Sequence, residues 1–148
     1  MPKLSDSEII KRASVILERK AKYEVVVNSP KDVHAFLQTK FYGKEREIFS
    51  VMFLNSQNQL IEYKEMFKGT ISSASVHPRE VAKKALQLNA AAIVMSHNHP
   101  SGDPTPSMAD RRITDKLVKC LSMFDVSVLD HIIIGKGETA SFAERGLI

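Results

Sequence analysis

Residues 90–110 read Ala90-Ala91-Ala92-Ile93-Val94-Met95-Ser96-His97-Asn98-His99-Pro100-Ser101-Gly102-Asp103-Pro104-Thr105-Pro106-Ser107-Met108-Ala109-Asp110. Ala90 to Met95 is a short apolar run, consistent with a central strand. It leads directly into His97-Asn98-His99, and two histidines one residue apart point the same way when the backbone is extended. Three prolines and Gly102 then keep Pro100 to Pro106 out of both helix and strand. Ser107 opens the following helix, with Asp110 in its first turn. Two imidazoles and one carboxylate leave an open fourth position on a zinc ion, the pattern of a catalytic site rather than a closed structural one.

Each piece also has a plainer account. A lone His-x-His is common. Ser107-x-x-Asp110 is also what helix capping requires, with Ser107 as N-cap and Asp110 favouring the positive helix end. The proline loop can be an ordinary connector. Capping and metal binding are compatible, because a cap fixes where Asp110 points. The combination carries the metal reading: a histidine pair leaving a strand, a seven-residue spacer, and Ser-x-x-Asp opening a helix.

Working outward, Met108 to Met123 reads as a helix with Ile113, Leu117, Leu121 and Phe124 in register, and Val126 to Ile134 reads as a strong strand. Gly135 and Gly137 break that strand, and Ser141-Phe142 suits a short edge strand. Upstream, His77-Pro78 opens a helix to about Leu88 with Val81, Ala82, Ala85 and Leu86 on one face. Ile48 to Leu54 is a buried strand by its β-branched and aromatic bias. Turn-like Asn55-Ser56-Gln57-Asn58 joins it to a second strand over Gln59 to Phe67. Ser72 to Val76 suits a short third strand. Ser29-Pro30-Lys31-Asp32 starts a helix over Pro30 to Phe41, ended by Gly43. An amphipathic helix spans Asp6 to Lys20, with Ser5 and Glu8 as a capping box. Its basic end, Arg19-Lys20-Ala21-Lys22, suits the negative end of the helix dipole better than a DNA-binding role. Helices mixed with strands give an α/β layered fold.

The chain has 148 residues, enough for one domain with a real core, and 43% hydrophobic against 26% charged residues is an ordinary globular balance. The single cysteine, Cys120, cannot form an internal disulfide and lies in an apolar helical pattern, which makes it a small core residue. No apolar run suggests a signal peptide or a bilayer span, so a soluble protein of the reducing cytoplasm, with no membrane partner, is expected. The formal net charge of +4 permits contact with nucleic acid without demanding it.

Here the residues match a known family. His-x-His, seven residues and Ser-x-x-Asp, with an upstream glutamate, resemble the JAMM signature of MPN-type metalloproteases. More closely, His97-Asn98-His99-Pro100-Ser101-Gly102 with Pro106-Ser107 resembles the RadC branch of that superfamily. Gly69-Thr70, Pro78-Arg79-Glu80, Leu129-Asp130-His131 with the isoleucines that follow, and Ser141-Phe142 share the resemblance. It covers about Glu24 to Ile148 and divides the chain into an N-terminal helix over 1–23 and a RadC-like JAB/MPN domain over 24–148. That helix packs on the domain or mediates self-association.

The resemblance implies a deaminase-like fold, a curved mixed sheet flanked by helices. It implies one zinc ion per chain, held by His97, His99 and Asp110. It also implies a glutamate general base just before the first apolar strand, which selects Glu47 in Arg46-Glu47-Ile48-Phe49. Glu45 is the competitor, two residues earlier and on the same side if the strand begins early. The expected chemistry is hydrolysis of a peptide or isopeptide bond in a peptide or protein substrate. Zinc acidifies a water, Glu47 shuttles the proton, and zinc with the Ser107 hydroxyl stabilises the oxyanion. Asp103 reads as a turn residue or a substrate contact. Ser96 and Asn98 hold backbone positions. Asp130-His131 is either a pair that orients a ligand from behind or a satisfied core pair. His34 and His77 read as helix-surface and N-cap residues.

Full-length RadC proteins carry an N-terminal helix-hairpin-helix region, and nothing in residues 1–23 resembles it, which weakens a DNA-related role. A zinc deaminase would need His-x-Glu and a downstream Pro-Cys-x-x-Cys, which one cysteine excludes. The letters His97-Asn98-His99 match the HNH nucleases only by coincidence. The serious alternative is a nucleic-acid- or protein-binding module with a non-catalytic metal.

Overall fold

The computed structural model describes residues 3–23, 27, 30–71 and 75–148. In chain order the elements are α1 (Asp6–Tyr23), α2 (Pro30–Phe41), β1 (Ile48–Leu54), β2 (Leu60–Lys68), α3 (Pro78–Gln87), β3 (Ala92–Asn98), α4 (Met108–Ser122), β4 (Ser127–Ile134) and β5 (Thr139–Ser141). The five strands form one mixed sheet in the order β2-β1-β3-β4-β5. β3 and β4 are parallel, with α4 as the crossover that a parallel pair requires, and the other pairs are antiparallel.

Strand alternation sorts the core into two layers. Phe49, Val51, Phe53, Ile93 and Met95 pack against Val81 and Ala85 of α3 and Ile113, Leu117 and Leu121 of α4. Met52, Leu54, Val94, Ile132 and Ile134 pack on the opposite face against Val33, Phe36 and Leu37 of α2. The expected α/β layered architecture is therefore present, with helices on both faces of a mixed sheet. Half-buried Cys120 packs against the α3/α4 layer, as a core residue would.

Helix α1 starts at the expected capping box. The Ser5 N–H donates to Glu8 Oε2 at 2.8 Å, and the Glu8 N–H donates to Ser5 Oγ at 3.2 Å. The helix runs to Tyr23 rather than stopping at Lys20, because Ala21-Lys22-Tyr23 contains neither proline nor glycine to end it. Leu17 and a 2.8 Å Lys40–Glu18 ion pair hold α1 to the α2 layer.

Three sequence expectations change. β3 continues past Met95 to Asn98, so His97 lies within the strand and His99 just beyond it. Its apolar pattern ends early because Ser96 is buried against a polar cross-strand partner, Ser50. No strand forms at Ser75-Val76, where the chain turns before α3, and the rest of that expected strand, like the proposed N-cap Ser29, lies outside the described residues. The edge strand near the C-terminus is Thr139–Ser141, with Phe142 just past it and buried.

Candidate metal centre

β3 delivers His97 to the α4 face of the sheet, fully buried, and strand periodicity returns His99 to the same side. α4 begins beside them. Its N-cap is Ser107, whose Oγ accepts the Asp110 N–H at 3.0 Å while Asp110 Oδ2 accepts the Ser107 N–H at 2.8 Å. This reciprocal capping box fixes the Asp110 carboxylate in the first turn. It also leaves the Ser107 hydroxyl proton free to be donated elsewhere. The connecting proline loop is pinned along its first half to the end of β4 and the residues just past it. The His99 N–H donates to Ile134 O at 2.9 Å and the Lys136 N–H donates to Gly102 O at 2.9 Å.

The three side chains converge. His97 Nε2 lies 3.0 Å from His99 Nε2 and 3.1 Å from Asp110 Oδ1, and His99 Nε2 lies 3.0 Å from Asp110 Oδ2. One ligand atom from each falls within 4.8 Å of the others, so the group can hold a metal ion. A tetrahedral zinc with bonds of about 2.0–2.1 Å would separate its ligand atoms by about 3.3 Å, close to this spacing.

The donor set itself calls for a cation. His99 Nδ1 lies 2.8 Å from the Asp103 carbonyl oxygen, which can only accept, so Nδ1 carries the proton. The Nε2 lone pair of a neutral His99 then faces both another imidazole and a carboxylate, a donor set that a cation between them would satisfy. The same pull appears in proton affinities. The hydrogen bond to Asp110 raises the His99 pKa, against the opposing effect of burial. Burial pushes Asp110 up, but the side-chain contacts with His97 and His99 outweigh it and hold the carboxyl well below the usual range.

Glu47 stands directly before β1. β1 pairs antiparallel with β3 with Phe49 opposite His97, so the same register carried two residues further puts Glu47 opposite His99. Its charge is close enough to raise the proton affinity of His99. Glu47 Oε2 accepts the Ile71 N–H at 2.8 Å, and its carbonyl oxygen accepts the Gly69 N–H at 2.9 Å. Asn98 grips the residues on either side. Its Oδ1 accepts the Ile48 N–H at 2.8 Å and its Nδ2 donates to Arg46 O at 2.9 Å. Glu45 is exposed and lines a surface groove of about 750 Å³. His99, Pro100, Tyr42, Lys44 and Lys136 also line that groove, which therefore opens beside His99, one of the three candidate ligands.

With this geometry in view, the RadC-like JAB domain profile matches residues 27–147. The chain belongs to the RadC-like JAB domain family. A UPF0758 protein of Vibrio cholerae is 49% identical over 141 residues, 95% of this chain and 89% of that protein. Two UPF0758 proteins of Stenotrophomonas maltophilia are 54% and 53% identical over 125 residues, 84% of this chain. The chain spans about half the length of those two, 53% in each case. Among the described residues of this JAB domain, no helix is long and apolar enough to cross a membrane.

Asp130 and His131, adjacent in sequence and expected to act as one pair, are separated by the structure. Asp130 accepts from Ser141 Oγ at 2.6 Å, the Ala143 N–H at 3.0 Å and the His131 N–H at 2.7 Å, and so ties β4 to the β5 turn. The His131 ring turns to the other face, where its Nε2 lies 2.8 Å from His97 Nδ1. Burial keeps this imidazole neutral by lowering its pKa well below the ordinary value. The Asp103 carboxylate accepts from Thr105 within the loop, so its side chain shapes the turn while its carbonyl meets His99. His34 lies on α2 within 3.5 Å of the Thr139 hydroxyl, and His77 is exposed at the start of α3. Neither approaches the metal centre.

Proposed function

We propose that this chain is a zinc-dependent hydrolase that cleaves a peptide or isopeptide bond. The supporting observation is the convergence of the His97, His99 and Asp110 donor atoms beside an open groove, with the Glu47 carboxylate near enough for its charge to act on His99. His97, His99 and Asp110 would hold the metal. When bound, it supplies a Lewis-acidic centre that lowers the pKa of water to about 7.

The protein's own groups complete the chemistry. One oxygen of Glu47 is occupied by the Ile71 N–H, which leaves the other to take a proton from the attacking water and return it to the leaving amine. The Asn98 clamp keeps that carboxylate at the strand entrance. The Ser107 oxygen accepts from Asp110 N–H, so its remaining proton is available to a developing oxyanion.

The test is digestion of peptide and isopeptide libraries by wild type and Glu47→Gln, with zinc measured in both. Turnover should fall by about 100-fold or more in the variant while zinc stays stoichiometric. Undiminished turnover removes Glu47 from the base role. Absence of any cleavage by zinc-loaded wild type favours the binding-module alternative.

A further inference from the structure

We infer that Thr114 and His131 are positioning residues for the metal centre. Together they form a one-way hydrogen-bond chain that locks His97 in the tautomer whose Nε2 lone pair faces the metal. The inference rests on the metal reading above and extends it to two residues that touch no metal.

The direction of the chain follows from its first link. The Thr114 hydroxyl lies 2.7 Å from the Asp110 carbonyl oxygen and 2.6 Å from His131 Nδ1. A carbonyl can only accept, and a hydroxyl has one proton. Thr114 therefore donates to Asp110 O, the familiar bond of a helical threonine to the carbonyl four residues back. Its oxygen must then accept from His131, so His131 carries its proton on Nδ1. In the neutral ring Nε2 is left as an acceptor, and that atom lies 2.8 Å from His97 Nδ1. His97 must donate there, and in its neutral ring Nε2 is then left without a proton, its lone pair aimed at His99 Nε2 and Asp110 Oδ1.

Reversing any link is unfavourable. If Thr114 donated to His131 instead, two oxygen lone pairs would face each other at 2.7 Å with nothing between them. His131 would then donate to His97, and His97 would present an N–H to the metal position. All of these groups are buried, so water cannot repair a mismatch: His97, Thr114 and His131 each show 0% exposure. Packing holds the ring in place, stacked on Phe142 at 4.7 Å and edge-on to Phe49 at 5.8 Å.

Metal-binding histidines commonly rest their second nitrogen on a carboxylate or a backbone carbonyl. His99 does so directly, at Asp103 O. His97 reaches a carbonyl only through His131 and Thr114, and that carbonyl belongs to Asp110, itself one of the triad. The chain thus joins the strand-borne ligand to the helix-borne one. It adds no charge to the site.

The experiment combines long-range proton–nitrogen NMR of the histidine rings with zinc affinity measured by chelator competition. The proteins are wild type, Thr114→Val, His131→Phe and His131→Gln. In wild type, His131 should carry its proton on Nδ1, with or without zinc. His131→Phe and Thr114→Val should weaken zinc binding by about 10–100-fold, and His131→Gln, whose amide can accept from His97 and donate to Thr114, should stay within about threefold of wild type. Thermal midpoints of the metal-free proteins separate positioning from packing, because His131→Phe replaces one buried ring with another and should remain folded. A proton on His131 Nε2, or a folded His131→Phe protein with wild-type zinc affinity, overturns the inference. If wild type fails to bind zinc, the metal reading falls, and the His131 tautomer in the metal-free protein still decides the direction of the chain.

Discussion

The carbonyl oxygen of Gly102 occupies the place where a β-carbon on Gly135 would have to go. The proline loop that carries His99 and Asp103 therefore lies directly on the end of β4, and only glycine permits the approach. Gly102 itself sits at φ +95°, a backbone conformation that other residues rarely adopt. Gly135→Ala should cost about 1–3 kcal/mol through overpacking, a drop of roughly 2–12 °C in thermal midpoint for a chain of this size. It should also weaken zinc binding, because the Asp103 carbonyl that orients His99 moves with the loop. A melting curve and a zinc titration of the same preparation check both effects. Unchanged zinc affinity in a destabilised variant would mean the loop does not hold the ligand.

Ser107 presents two roles to separate. The capping box accounts for its oxygen, and the proposed oxyanion contact would use its proton. Ser107→Ala should lose about 1 kcal/mol of stability with the cap. Ser107→Asn keeps a capping acceptor but not the hydroxyl, and should restore most of that stability. If the hydroxyl acts on the substrate, kcat stays low in Ser107→Asn and recovers only in Ser107→Thr. Recovery in Ser107→Asn would leave the residue as a cap alone.

Much of the site can be read locally along the chain. His97 and His99 share a face because strand side chains repeat every two residues, and Asp110 is placed by a cap three residues long. Glu47 is different. The resemblance selects it, but its closeness to His99 depends on the pairing of β1 with β3, a contact that no local pattern in residues 45–49 encodes. The end of β3 is hidden in the sequence because Ser96 and Asn98 are polar yet buried, satisfied by Ser50 and by the backbone leading into β1. The split between Asp130 and His131 follows from alternation alone and was readable. What lies behind each face was not, because Ser141 and His97 arrive from other strands. Thr114 had one local signal, its spacing of four from Asp110, which gains meaning only once His131 is seen beside it.

Metal should stabilise the fold directly, since its ligands come from β3 and α4 and an unfolded chain does not hold them together. Zinc at about 100 times its dissociation constant should add about 2.7 kcal/mol, roughly 5–11 °C in thermal midpoint. His97→Ala should abolish the shift. A shift that persists in His97→Ala would place the bound zinc elsewhere on the protein.

Without metal, stability should pass through a maximum near the ordinary histidine pKa of about 6.5. His131 is held neutral by burial, so below that pH the unfolded chain binds a proton that the native chain refuses. Stability then falls with falling pH, by at most about 1.4 kcal/mol per unit from this one ring. Asp110, held low by His97 and His99 despite its burial, adds to the loss at more acid pH as its carboxyl protonates. His99 acts in the opposite sense. Its pKa is raised by the hydrogen bond to Asp110, so its contribution is complete below the unfolded value and disappears as pH rises through the folded one. Urea unfolding of chelator-treated protein between pH 5 and 8 should therefore slope down on both sides of the maximum. His131→Phe should flatten the acid side alone. Added zinc should flatten the alkaline side, because the metal replaces the proton that Asp110 and the two imidazoles otherwise need between them. An acid slope unchanged in His131→Phe would assign it to another buried group.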